Sequence, residues 1–118
     1  MKIDFIGLEI ITFHDLPLNK LSIELEPSPE LVIDISEFDE EINGYIEKRI
    51  IFGNIESINP KSDSFKDYSD SEIYSFDYFL KGSLFYGKMI CLKGFGKPTI
   101  EIEFSCRSVT INEITQVK

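Results

Sequence analysis

Apolar residues recur at every second position through most of this chain, and that period constrains the fold more than any other feature. Leu21, Ile23 and Leu25 alternate with Ser22 and Glu24; Leu31, Ile33 and Ile35 alternate with Val32, Asp34 and Ser36. Side chains of an extended strand point to opposite faces in turn, so this spacing predicts strands half in and half out of a core. Between the two runs, Pro27-Ser28-Pro29 removes two backbone donors and predicts the turn of a hairpin. Tyr45 to Phe52 is a further strand candidate interrupted by Lys48-Arg49. Gly53-Asn54 reads as a break, with Ile55 to Ile58 as a short continuation. Ile73, Ser75, Asp77 and Phe79 alternate with Tyr74, Phe76 and Tyr78 within Glu72 to Leu80. Ser83 to Leu92, Thr99 to Phe104 and Cys106 to Ile111 complete the series, with Gly94-Phe95-Gly96-Lys97-Pro98 as a loop. The expectation is a mainly β chain: an antiparallel β-sandwich or open barrel of seven to nine short strands.

At most one short helix is expected. Ser36 is a possible N-cap, with Phe38 and Ile42 one turn apart and Asn43-Gly44 as the stop. The same Asn-Gly could instead form a two-residue hairpin turn between Ile42 and Tyr45. The charge density of this segment suits a strand poorly, which favours a helical turn or loop. Ile3 to Phe13 is ambiguous, with two short strands broken at Gly7 as one reading, and Asn59 to Ser71 reads as a long polar loop. A chain of 118 residues suits a single domain, 1–118, and at that size roughly two-thirds of the unfolded surface can be buried. No uncharged apolar run approaches the about 20 residues of a membrane span. Asp4, Glu9 and Asp15 are foreign to a signal peptide, so a soluble cytoplasmic protein is expected.

The charge is concentrated. Residues 1–59 hold four bases and 13 acids, whereas residues 60–118 hold eight of each. From Glu24 to Glu47 there are nine acids and no base, which accounts for the formal charge of -9. A solvated face is one reading; a surface that attracts a basic protein partner is the other. Nucleic acid is not an expected partner, because its phosphates would be repelled and no Lys/Arg cluster interleaved with aromatics offsets that.

The search for chemistry is mostly negative, and neither enzyme, metal nor cofactor is expected. His14-Asp15 is the one His–acid pair; without a nucleophile in reach, His14 reads as structural, bonded to a backbone carbonyl or a nearby acid. Cys91 and Cys106 lie in apolar strand patterns, where a thiol behaves as a small hydrophobe, although a disulfide is conceivable if their strands are neighbours. One His and two distant Cys do not make a zinc site. Asp63, Asp67, Asp70 and Glu72 lack the alternate spacing and mid-loop Gly of a calcium loop. Gly94-Phe95-Gly96-Lys97 is too short for a phosphate loop and reads as a hairpin turn.

Four segments carry a resemblance in this order: Phe13-His14-Asp15, Arg49-Ile50-Ile51-Phe52-Gly53-Asn54-Ile55, Glu72-Ile73-Tyr74-Ser75-Phe76, and Ile100-Glu101-Ile102-Glu103-Phe104-Ser105-Cys106. With its length and β pattern, the chain resembles immunity proteins of bacterial polymorphic-toxin and contact-dependent growth inhibition systems. That resemblance implies a non-enzymatic inhibitor that binds one cognate toxin domain, often a basic nuclease, and blocks it. The charge reading agrees: the partner-binding residues are expected to be Glu37, Asp39, Glu40 and Glu41, followed by Asp63, Asp67, Tyr68 and Asp70. Two alternatives stand beside it, a small-ligand β-barrel whose aromatics line a cavity and another kind of acidic interaction module.

Overall fold

A computed structural model describes residues 3–60, 72–92 and 98–114, with the side chains of all but residues 98 and 99. Six strands form one antiparallel sheet: β1 (Leu16–Glu24), β2 (Glu30–Asp39), β3 (Gly44–Pro60), β4 (Glu72–Lys81), β5 (Leu84–Leu92) and β6 (Pro98–Ile114), preceded by one short helix, α1 (Phe5–Glu9). The spatial order is β1-β2-β3-β6-β5-β4, and the ends meet where Leu16 pairs with Ile73 and Pro17 with Glu72, so the ring of pairings closes.

Among the described residues the chain is mainly β as expected, with six strands rather than seven to nine. Two expected breaks are bends inside long strands. Phe52 pairs with Val109 and Ile55 with Cys106, so the inward-facing residues step by three on both strands at the same level. Asn54 takes a positive φ of 52° at this bend, and a bulge follows between Ile55 and Ser57. Gly53-Asn54 therefore bends β3 while the ladder continues, as bulges do where a sheet curves.

The expected helical turn at Ser36 is absent. β2 runs on through Asp39, and four residues, Glu40 to Asn43, connect it to β3. The Asp39 carboxylate accepts the Glu41 amide at 2.9 Å, the Asn43 amide bonds the Glu40 carbonyl at 3.2 Å, and Asn43 takes a φ of 49°. The tip thus uses Asx-turn and left-handed chemistry. The helix lies instead in Ile3 to Phe13. Asp4 caps it by accepting the Gly7 amide at 2.9 Å, and a Cβ at Gly7 would come within 2.6 Å of that same carboxylate. The β1–β2 hairpin has the expected face at Leu21 opposite Ile33 and Ile23 opposite Leu31, whereas Leu25 lies past the end of β1 and is exposed.

Phe52, Phe76, Phe85 and Phe104 pack against one another inside the sheet, Phe52 and Phe104 with ring centroids 4.7 Å apart. The N-terminal segment closes over them: Leu8, Ile11 and Phe13 are buried, Phe13 meets Phe76 edge-on at 4.9 Å, and Phe5 meets Tyr78 at 5.5 Å. Gly87 is required by this packing. A Cβ there would stand 2.7 Å from the Phe104 ring and 2.9 Å from Phe76. Gly87→Ala is therefore expected to lower the unfolding free energy by about 1–3 kcal/mol through overpacking. Urea denaturation with an unchanged m-value would measure it.

Candidate functional site

The β2–β3 hairpin projects the densest part of the acidic segment, and beside the acids it carries apolar side chains that the core does not use. Residues opposite each other in the hairpin share a face. Asp34 opposes Arg49, Ser36 opposes Glu47 and Phe38 opposes Tyr45 on the outer face; Glu37 opposes Ile46 on the other. Phe38 and Tyr45 touch edge to face at 5.5 Å and remain 51% and 67% exposed; Ile42, at the tip, is 61% exposed. Glu40 and Glu41 flank them in solvent, and Asp39 is half-buried.

The acidic run does not form one surface. Asp34 is 4% exposed, and the Arg49 guanidinium holds it with two bonds of 2.8 and 2.9 Å. The half-in, half-out alternation predicts Asp34 in solvent, and this is overturned: it does lie on the outer face, but it is buried beneath its ion pair with Arg49. Its bonds and charge raise the Arg49 pKa further above its ordinary value. Glu37 is paired with Lys48 at 2.7 Å, so it offers a partner little free charge. The exposed acids divide between the two ends of β2, with Glu24 and Glu26 at one and Glu40 and Glu41 at the other. Of the expected partner residues, Asp39, Glu40 and Glu41 converge on the tip; Glu37 is nearby but neutralised. Asp63, Asp67, Tyr68 and Asp70 lie outside the described residues.

Phe38, Ile42 and Tyr45 are the surface residues that the sequence reading missed. Phe38 and Ile42 read as one face of a helical turn, and Tyr45 as the start of a strand candidate whose exposure the pattern does not assign. Their signal was the Asp39 to Gly44 segment, which is Asx-turn chemistry followed by a residue that tolerates positive φ.

His14 lies at the seam between β1 and β4. Its Nδ1 is 2.7 Å from the Tyr74 carbonyl and its Nε2 3.3 Å from Asp15. The Phe13 to Leu16 turn places it there: the Leu16 amide reaches the Phe13 carbonyl at 3.1 Å, Asp15 takes a φ of 67°, and the Asp15 amide bonds the Ile73 carbonyl at 2.7 Å. These are the contacts of a residue that ties the end of β4 to the turn before β1. No nucleophile is among them.

Cys91 and Cys106 are free, fully buried thiols on neighbouring strands. Cys91 pairs with Ile100 and Cys106 with Phe85, which puts them six residues apart along the ladder. At about 3.3 Å per residue that is roughly 20 Å, far beyond disulfide reach. Burial pushes both thiols up to about 12. Native protein is expected to be inert to a thiol reagent at neutral pH, with two thiols appearing on unfolding. Above about pH 9 the unfolded chain loses these protons while the folded chain keeps them, so stability should fall as pH rises towards 12. Thermal midpoints across that window check the sign.

Among the described residues no group of three or more His, Cys, Asp and Glu is placed to hold a metal, and no helix is long and apolar enough to cross a membrane. No protein-family model, curated protein or solved structure matches the chain.

Proposed function

We propose that this chain is an immunity protein: a non-enzymatic binding module that neutralises a basic bacterial toxin domain by covering it. The observation that carries the reading is the β2–β3 tip, where exposed Phe38, Ile42 and Tyr45 stand among Asp39, Glu40 and Glu41. Exposed aromatics held rigid by a hairpin have the character of binding anchors, since little side-chain freedom is lost when they dock. Carboxylates around them attract a cationic surface and orient its approach. The interior supports binding by the outer surface, because interlocked phenyl rings fill the space that a small ligand inside the sheet would need.

Co-expression with the toxin domain encoded beside its gene tests the proposal. The pair should purify as a one-to-one complex, and cells should survive a toxin that kills them alone. Survival without a complex, or a complex without protection, would overturn it.

A further inference from the structure

The outer surface holds a second feature, remote from the hairpin tip and independent of the reading above. A groove of about 470 Å³ crosses β3, β6, β5 and β4, with Asn59, Glu103, Lys88, Asp77, Phe79 and Tyr86 among its walls. The register explains its composition. Asn59 pairs with Glu103, Glu103 with Lys88 and Lys88 with Asp77, so one row across four strands reads amide, acid, base, acid. In the next row Tyr86 pairs with Phe79; their rings stack at 5.0 Å and 9°, and Phe79 is 56% exposed.

The charges in this row are unequally paired. Lys88 leans towards β6, 3.4 Å from Glu101 and 3.8 Å from Glu103. Asp77, on the other side of Lys88, is exposed and makes no ion pair among the described residues. Lys88 is thus engaged by Glu101 and Glu103, which leaves the Asp77 carboxylate as the groove's charge open to a cationic ligand. Asp77 and Phe79 are two residues apart on one face of β4, so a carboxylate and an exposed ring face lie about 7 Å from each other. A planar cation beside this pair has both a ring to stack on and a carboxylate to bond.

We infer that this groove binds an arginine side chain presented by a polypeptide. The guanidinium fits each element: it stacks on aromatic faces, donates two parallel hydrogen bonds to one carboxylate, and is more weakly hydrated than an ammonium group. Lysine shares the charge but not the plane or the fork. A groove of this volume lies within the range of small-ligand sites and accepts the side chain with its flanking backbone. The hairpin tip lies at the other end of β3, fourteen residues from Tyr45 to Asn59, so the two surfaces act separately.

Titration of isotope-labelled protein with N-acetyl-arginine methylamide, followed by amide chemical shifts, tests the inference. The largest shifts are expected at Asp77, Phe79, Tyr86 and Lys88. The lysine analogue should bind about fivefold more weakly, a difference of the size that ring stacking supplies at an exposed site. Asp77→Asn and Phe79→Ala alter exposed side chains, so both should fold and both should weaken the arginine analogue by a similar factor. Glu40→Lys at the hairpin tip should leave it unchanged. Equal affinity for the two analogues, or shifts spread over all acidic surfaces, would overturn the inference and show general charge attraction only. Neither outcome touches the toxin-binding reading, which co-expression with the toxin tests separately.

Discussion

Arg49→Met is expected to lower the unfolding free energy by about 3 kcal/mol, the low end of the cost of breaking a buried ion pair. The loss comes from the residue left behind. Asp34 is 4% exposed, and both carboxylate oxygens are committed to Arg49. Methionine keeps much of the volume but supplies no donor, so the carboxylate would stay desolvated and unpaired. The estimate sits at the low end because the Arg49 side chain is 39% exposed, which leaves water a route to the site. A double variant, Asp34→Leu with Arg49→Leu, removes both charges and should recover most of the loss. Lys20, the other cross-strand neighbour of Asp34, is exposed, and Lys20→Ala should cost less than about 1 kcal/mol. Chemical denaturation of the four proteins measures all of this. A double variant as unstable as Arg49→Met would show that the pair acts through its shape rather than its charge. The pair also bears on register: sliding β2 by one residue would turn Asp34 into the core beside Phe52 and Ile50.

Much of this architecture was legible in the sequence, and the parts that were not share a cause. Alternation at 21/23 and 31/33/35 identified the hairpin and its inward face, because one buried face forces a period of two. The same rule misled at Gly53-Asn54 and around Cys106. There the inward residues step by three, from Phe52 to Ile55 and from Cys106 to Val109, since both strands bend together as the sheet curves. A parity change reads as a break when only one strand is in view; its compensation on the partner strand is a tertiary fact. Asp34 failed for a related reason. Alternation assigned its face correctly, but outer does not mean exposed when Arg49 of the neighbouring strand bonds both oxygens of the carboxylate. The candidate site was half legible. The acids of the tip stand out by charge alone, whereas Phe38 and Ile42 read as a helical face and Tyr45 as the start of a strand. Their exposure follows from the tight turn at Asp39 to Gly44, which pairs Phe38 with Tyr45 on the outer face at the end of the hairpin, a register that hydrophobicity alone does not report.

At the tip, apolar and charged substitutions are expected to separate into different kinetic effects. Phe38→Ala and Tyr45→Ala should each weaken the complex with the cognate toxin by about 2 kcal/mol or more, roughly thirtyfold, mainly by faster dissociation. Both side chains are more than half exposed, so the free protein should keep its unfolding midpoint nearly unchanged. Glu40→Lys with Glu41→Lys should instead slow association. That effect should shrink with salt, because the Debye length falls from about 10 Å at 0.1 M to about 3 Å at 1 M. Glu37 is left out because Lys48 already neutralises it. Glu24→Lys with Glu26→Lys makes the same change in net charge at the far end of β2, about 30 Å away at ordinary strand rise. At 0.1 M salt that is about three Debye lengths, so a tip-centred interface should scarcely feel it. If both charge reversals slow association equally, the toxin responds to net charge and not to the tip. If they do so while Phe38→Ala and Tyr45→Ala leave dissociation unchanged, the binding surface lies elsewhere on the molecule.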